Sequence, residues 1–173
     1  MDSVATMEKT ETGAREAFCE LLERHRAIVF KVANTYSRHP EDRADLVQEI
    51  AAQLWRAWPG YDPARSFTTW MYRVALNVGI DFVRGHARLQ RHTVPLDEGL
   101  HDLADAQPTD HESAQLLRLL QGFVDRQPPL DRALLLLYLD ERPQREIAEI
   151  LGITETNVST KIGRLKQRIR DEL

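Results

Sequence analysis

Two groups of side chains in this sequence have types and spacings that could do chemistry. Arg73, Asn77, Asp81, Arg84 and Arg88 recur every three or four residues, so a helix would line them along one face. Glu155, Thr156, Asn157, Ser159, Thr160, Lys161 and Arg164 form a second polar group near the C-terminus. Asn and Arg can pair two-pronged with base edges, while Ser, Thr, Lys and Arg suit phosphates. That is binding chemistry rather than bond making. There is no phosphate loop and no nucleophile elbow. The six histidines are scattered and none has a metal-ligand spacing with the single cysteine, Cys19. His86, His92, His101 and His111 read as solvated, and Cys19, on a mainly apolar helix, reads as a packing residue. No catalytic residue, metal or cofactor is expected.

The elements that must position the second group are legible in "EIAEILGITETNVSTKIGRLKQRI", residues 146 to 169. Ile147 and Leu151 lie one turn apart on a short helix. Val158, Ile162, Leu165 and Ile169 form the stripe of a longer one, and Ile153 sits between. Gly152 falls where the first helix must end in a left-handed residue, a conformation that costs glycine little. Thr154 can cap the second helix through its hydroxyl. Ala148 is small enough for the helices to cross closely. This is the pattern of a helix-turn-helix, whose second helix would present the polar group to a major groove. A helical hairpin with a solvated charged face fits the same spacing. Gly163, inside the second helix, costs about 1 kcal/mol relative to Ala.

The first group sits on a segment whose apolar stripe is Phe67, Trp70, Met71, Val74, Val78 and Phe82, predicting a helix from Ser66, its cap, to about Leu89. Upstream, Phe18, Leu21, Leu22, Ile28, Val29 and Val32 predict one helix over 14–36, ended by "SRHPED" with Pro40. A second, over 42–58, would bury Leu46, Ile50, Leu54 and Trp55. "PGYDPARS" reads as a loop, and residues 1–12 as a frayed end. "TDHE" has the form of a capping box, with Thr109 capping and Glu112 three residues on. Further helices run through Val124 and, after "RQPPLD", along "RALLLLYL". No alternating strand pattern occurs. The reading is all-α: an N-terminal helical domain over 1–91, a flexible acidic linker over 92–109, and a helix-turn-helix domain over 110–173.

The chain has 173 residues and a net charge of −4, with 42% hydrophobic residues. That suffices for two cores, each small and marginal alone. Charge is unevenly placed. Ser66 to Arg91 holds four arginines and one acid, Val94 to Leu117 six acids and no Lys or Arg, and Arg142 to Arg170 seven basic residues and three acids. No apolar run could span a bilayer, and the N-terminus lacks the apolar region of a signal peptide. With one cysteine excluding an internal disulfide, these features point to the cytoplasm.

"DLVQEIAAQLWRAWPGYDPARSFTTWMYRVALNVGIDFVR" resembles the promoter-melting domain of bacterial sigma factors, and "EIAEILGITETNVSTKIGRLKQR" resembles the C-terminal domain of their extracytoplasmic-function (ECF) group, within the sigma-70 family. The likeness runs from about Ala14 to the end. It implies a dissociable, non-enzymatic subunit of RNA polymerase that selects promoters. Asp45, Gln48, Glu49 and Gln53 would then face the clamp coiled coil of β′, with β a further contact. Tyr61, Ser66, Phe67, Arg73, Asn77, Asp81, Arg84 and Arg88 would engage the −10 element as single strand. Arg145, Glu155, Thr156, Asn157, Ser159, Thr160, Lys161 and Arg164 would engage the −35 element. An anti-sigma partner is implied, and no membrane insertion. Trp70 reads as core packing, and Phe67 as either core or base-stacking. Arg142, Pro143 and Gln144 depart from the Gly and Ser or Thr frequent in the family.

A relaxed tether of about 18 residues spans roughly 23 Å, and fully stretched about 60 Å. Two sites two DNA turns apart lie about 70 Å from one another. Something larger must therefore hold the domains apart on a promoter. A helix-turn-helix regulator with an N-terminal sensory domain is the competing reading. It would bind duplex DNA without polymerase.

Overall fold

The computed structural model describes residues 2–90 and 111–172, with side chains over 12–88 and 113–172. The linker over 92–109, the cap at Thr109, and His92 and His101 lie outside the described residues. Helices are α1 (Asp2–Arg24), α2 (Ala27–Tyr36), α3 (Pro40–Ala57), α4 (Phe67–Gln90), α5 (His111–Asp125), α6 (Pro129–Leu139), α7 (Gln144–Leu151) and α8 (Glu155–Glu172). There is no strand among the described residues.

Several boundaries differ from the sequence reading. Residues 2–12 are helical rather than frayed, and the predicted first helix breaks at His25 and Arg26 into α1 and α2. Beyond the two-residue break, α2 buries Ile28, Val29, Val32, Ala33 and Tyr36. Pro40 does not end a helix but opens α3, since its missing N–H and fixed φ suit a first turn. Leu46, Ile50 and Leu54 are buried, but Trp55 is half exposed, its ring 5.1 Å from that of Phe18. Cys19 is exposed and not a packing residue.

The N-terminal helices α2, α3 and α4 pack on one another, and α4 crosses α2 closely at Gly79. A Cβ there would sit 2.4 Å from Cδ2 of the Tyr36 ring. That ring is buried, and its hydroxyl donates to the Pro129 carbonyl at 2.7 Å, so it has little freedom to move aside. In the C-terminal half, Phe123, Leu134, Leu137, Ile147, Val158 and Leu165 are buried between α5, α6, α7 and α8.

The two halves are not separate cores. Their buried side chains form one contiguous apolar cluster, with α2 against α6 and α4 against α6 and α7. The docking explains why Tyr72 and Leu76, outside the predicted stripe of α4, are fully buried. α4 has two covered faces.

Polar contacts seal this seam. Asp140, just after α6, accepts from Tyr72 Oη at 2.7 Å, from Lys31 Nζ and from Arg142 Nε at 3.2 Å. The turn that aims these groups places Glu141 at φ 57°, a left-handed conformation, and closes with Arg142 N–H donating to the Leu137 carbonyl. Arg142 also lies 5.1 Å from the Tyr72 ring centroid and donates to Glu146 at 3.2 Å and Thr68 Oγ1 at 3.4 Å. Arg38 grips Asp125 with two nitrogens, at 2.8 and 2.9 Å.

Partial burial pushes the Asp140 carboxyl upward, but the hydrogen bonds from Lys31, Tyr72 and Arg142 outweigh it and hold the group below its ordinary 3.8. Burial, helped by the hydrogen bond to Asp140, pushes the Tyr72 phenol well above its ordinary 10.0. A depressed carboxylate contributes stability above its unfolded value and loses it as pH falls through the folded one. A raised phenol contributes below 10.0 and loses that as pH climbs.

Two predictions follow from this packing. Gly79→Ala should overpack the α2–α4 crossing, costing about 1–3 kcal/mol in a chemical denaturation curve. The melting-temperature difference between wild type and Asp140→Asn should be constant around neutral pH. It should narrow only as pH falls below 3.8.

Candidate nucleic-acid interface

The loop before α4 is built on stacked rings. A short 3-10 turn, Trp58–Gly60, puts Trp58 parallel to Tyr61 (centroids 5.3 Å, 17°), and Tyr61 lies 5.1 Å from Trp70. Phe67 packs beneath, 5.4 Å from Trp70 and 5.5 Å from Tyr61. Such ring pairs are stabilising beyond their buried area, which makes a loop of this composition a fixed platform. Asp62 accepts from Ala64 N–H at 2.9 Å, and Tyr61 Oη donates to the Arg65 carbonyl at 2.9 Å. Ser66 caps α4 as its sequence position indicates, its hydroxyl accepting from Thr69 N–H at 3.4 Å.

These residues enclose a cavity of 340 Å³ lined by Gly60, Tyr61, Asp62, Arg65, Ser66, Thr69, Trp70, Arg73 and Glu149. Tyr61, Ser66 and Arg73 were expected here. Phe67 is not part of the lining: at 8% exposure it belongs to the core. Trp70, read from sequence as packing alone, is half-buried and offers a ring to the cavity as well. Arg65 and Thr69 were missed: Arg65 lies in the loop before α4, and Thr69, one turn before Arg73, carries no charge to mark it. The loop's charge and hydroxyl content was the available signal. The cavity thus has ring faces, hydroxyls and two guanidinium groups, which suits an extruded base and its phosphate.

Further along α4, Asn77, Asp81, Arg84 and Arg88 are all exposed. Arg84 is 3.9 Å from Asp81. Asn77, Asp81 and Arg84 form one wall of a 290 Å³ cleft whose other wall is Leu130, Ile150 and Leu151.

The helix-turn-helix forms as its local signals require. Gly152 has φ 67°, and nothing lies within 4 Å of a Cβ added there, so backbone conformation rather than space selects glycine. Thr154 Oγ1 accepts from Asn157 N–H at 3.2 Å. Ala148 is buried, together with Ile147 and Ile150, the last unassigned from sequence. On α8, Glu155, Thr156, Asn157, Ser159, Thr160 and Arg164 are exposed, as is Arg145 on α7. Lys161 differs: its ammonium is held at 3.2 Å by Asp131 of α6, which Arg168 also approaches at 3.5 Å. This pair braces α8 on α6.

On α3, Asp45, Gln48 and Glu49 are exposed and Gln53 is half-buried. Glu49 accepts from Gln53 at 3.2 Å and lies 3.5 Å from Arg56.

Comparison with known proteins matches residues 21–89 to Sigma-70 region 2 and residues 117–169 to Sigma-70 region 4. The chain belongs to the ECF group of the sigma-70 family. It is similar to the ECF RNA polymerase sigma factor SigE of Mycolicibacterium smegmatis, with 28% identity over 165 residues, covering 94% of this chain but 64% of that protein. Similarity to the ECF sigma factor SigW of Bacillus subtilis is 27% over 182 residues, covering 96% and 94%. Among solved structures, the sigma factor RpoE of Bartonella quintana in complex with the anti-sigma factor NepR shares the fold. The TM-score is 0.72 at 14% identity, over 90% of this chain and 96% of that one. In ECF terms, the rings of the cavity belong to region 2, Glu149 in its lining to region 4, and the helix-turn-helix to region 4.

Thr154→Ala should lose about 1 kcal/mol of C-terminal domain stability by removing the α8 cap, measured by hydrogen exchange of the first-turn amides.

Proposed function

We propose that this chain is an alternative sigma factor that binds RNA polymerase core and directs promoter-specific initiation. The observation that carries the reading is the presence, in order, of both promoter-recognition regions, each with an exposed polar face of suitable chemistry. In this reading the N-terminal domain over 1–91 binds the β′ clamp through Asp45, Gln48, Glu49 and Gln53. It takes the −10 strand into the cavity of Tyr61, Ser66 and Arg73, and along Asn77, Asp81, Arg84 and Arg88. Arg65, Thr69 and Trp70 complete that cavity. The domain over 110–173 reads the −35 element with Arg145, Glu155, Thr156, Asn157, Ser159, Thr160 and Arg164, with Lys161 positioned through Asp131. The linker over 92–109 joins them within the polymerase, where β is a further contact.

The role is one of binding, with no bond made by the chain itself, and it places the protein with polymerase in the cytoplasm. No described helix is long and apolar enough to cross a membrane. An anti-sigma partner is part of the reading, supported by the fold shared with a sigma factor solved with its anti-sigma factor.

Core polymerase plus this protein should produce promoter-dependent transcripts from a genomic library. Absence of such transcripts, with strong sequence-specific duplex shifts by the protein alone, would favour the free-standing regulator. Asn77→Ala should impair promoter melting, followed by permanganate reactivity, more than core binding. Equal loss in both would contradict the assignment. Arg164→Ala should weaken upstream contact by about 1–3 kcal/mol, read as lost footprint protection at −35.

A further inference from the structure

The cations of α8 are Lys161, Arg164, Lys166, Arg168 and Arg170, and all but Arg164 are engaged within the chain. Lys161 Nζ lies 3.2 Å from Asp131 Oδ1, and Arg168 Nη2 lies 3.5 Å from Asp131 Oδ2. Lys166 sits over the Tyr138 ring, 4.6 Å from its centroid, and Arg170 donates to Gln167 at 3.1 Å. Arg164 is exposed and, among the described residues, its guanidinium has no ion pair. Free lysines and arginines give a helix its sequence-independent attraction to duplex DNA, so this pairing bears on recognition.

Asn157, Lys161, Arg164 and Arg168 recur at helical spacing and line one face of α8. Its members differ in state. Lys161 and Arg168 are tied to Asp131, while Asn157 and Arg164, which can pair two-pronged with base edges, are exposed. Asp131 stands in the first turn of α6, where the helix N-terminus stabilises a carboxylate whatever α8 does. Its side chain is 15% exposed, against 38% for Lys161 and 46% for Arg168. The anion is anchored by the scaffold, and the cations come to it.

We infer that Asp131 is a specificity-determining residue of the reading helix: by holding Lys161 and Arg168 along α6 it withholds two phosphate contacts that any duplex would offer, and leaves recognition to Asn157 and Arg164. The inference rests on reading α8 as the helix that contacts DNA, and deepens that reading. Phosphate contacts position a protein on DNA but add equally to every sequence. Withholding them lowers affinity for the many wrong sites without lowering discrimination. Lys161 and Arg168 stay withheld because leaving Asp131 would strand a largely buried carboxylate without a partner.

The test uses the full chain and a fluorescent mixed-sequence duplex, with binding followed by anisotropy between about 50 and about 200 mM salt. The logarithm of affinity falls with the logarithm of salt by about 0.9 per phosphate engaged, so the slope counts contacts. Asp131→Asn should tighten binding and steepen the slope by about 1–2. Its advantage over wild type should then be about 3- to 12-fold larger at the low-salt end than at the high-salt end. Lys161→Gln with Arg168→Gln should leave the wild-type slope nearly unchanged, because those cations are already withheld. With core polymerase and a promoter recovered from a genomic library, transcription by the Asp131→Asn protein should be inhibited by less mixed-sequence competitor duplex than transcription by wild type.

A purely structural brace would lose affinity in Asp131→Asn with no change of slope, and that result overturns the inference. Asp131→Asn made together with Lys161→Gln and Arg168→Gln should give no gain over the double variant. The same gain there as in wild type would mean that one negative charge acts at a distance, which also overturns it. Arg164→Gln separates the inference from the reading beneath it, and should weaken duplex binding. If it leaves binding unchanged, α8 is not the helix that contacts DNA, and both fall. If Arg164→Gln weakens binding but Asp131→Asn does not steepen the slope, the inference alone falls.

Discussion

The structure depends on a seam between two helical halves that is apolar inside and polar at its rim, with Asp140 at the point where donors from three elements converge. Lys31 comes from α2, Tyr72 from α4 and Arg142 from the turn into α7. Two of these donors, Lys31 and Tyr72, come from the N-terminal half, so the carboxylate has its full set only when the halves are together. Tyr72 is fully buried only because α6 and α7 cover it. Each exposed ion pair in the rim contributes about 0–1 kcal/mol, while a hydrogen bond to a charged group with little exposure contributes about 1.5–3 kcal/mol. A seam assembled from such terms is firm enough to define a closed state and weak enough for a binding partner to reverse. That balance is what separable domains within one chain require.

The same arithmetic separates positioning from recognition. The ring stack of Trp58, Tyr61 and Trp70 and the Asp131 brace of Lys161 fix where the polar groups sit. The groups that would touch DNA are exposed or line open cavities and contribute little to stability. Substitutions there should therefore change recognition while leaving the fold intact. Buried residues such as Gly79, pressed against Tyr36, do the reverse. A chain with a net charge of −4 can serve this role because the segments from Ser66 to Arg91 and from Arg142 to Arg170 each carry more basic than acidic residues.

Much of this was legible in the sequence wherever the signal is local. Gly152 and Thr154 act within one turn of the backbone, and the helix-turn-helix follows from them. Ser66 announces α4 in the same way. The break at His25 and Arg26 was not legible, because no Gly or Pro marks it. The residues that follow it pack on α3, α4 and α6, partners distant in sequence. Pro40 was misread because proline both follows helix ends and opens helices. Tyr72, Leu76 and Ile150 were missed for a shared reason: each is buried by, or packs beside, an element distant in sequence, and periodicity along one helix reports only one covered face. The carboxylates at Glu146 and Glu149 look like ordinary solvated charges until α7 is seen against the cavity. Trp55 and Cys19, both assigned to packing from their helical context, are exposed because α1 and α3 cover only part of one another's surface.

The central claim is that one chain has a closed form when free and a spread form on polymerase. The most direct measurement is the distance between labels on α1 and α8, taken before and after addition of core polymerase. The account predicts a single short population in the free protein that moves toward the separation of two DNA turns, roughly 70 Å, once core is bound. A distance that stays short on core-bound protein, or is already long without it, would contradict the account.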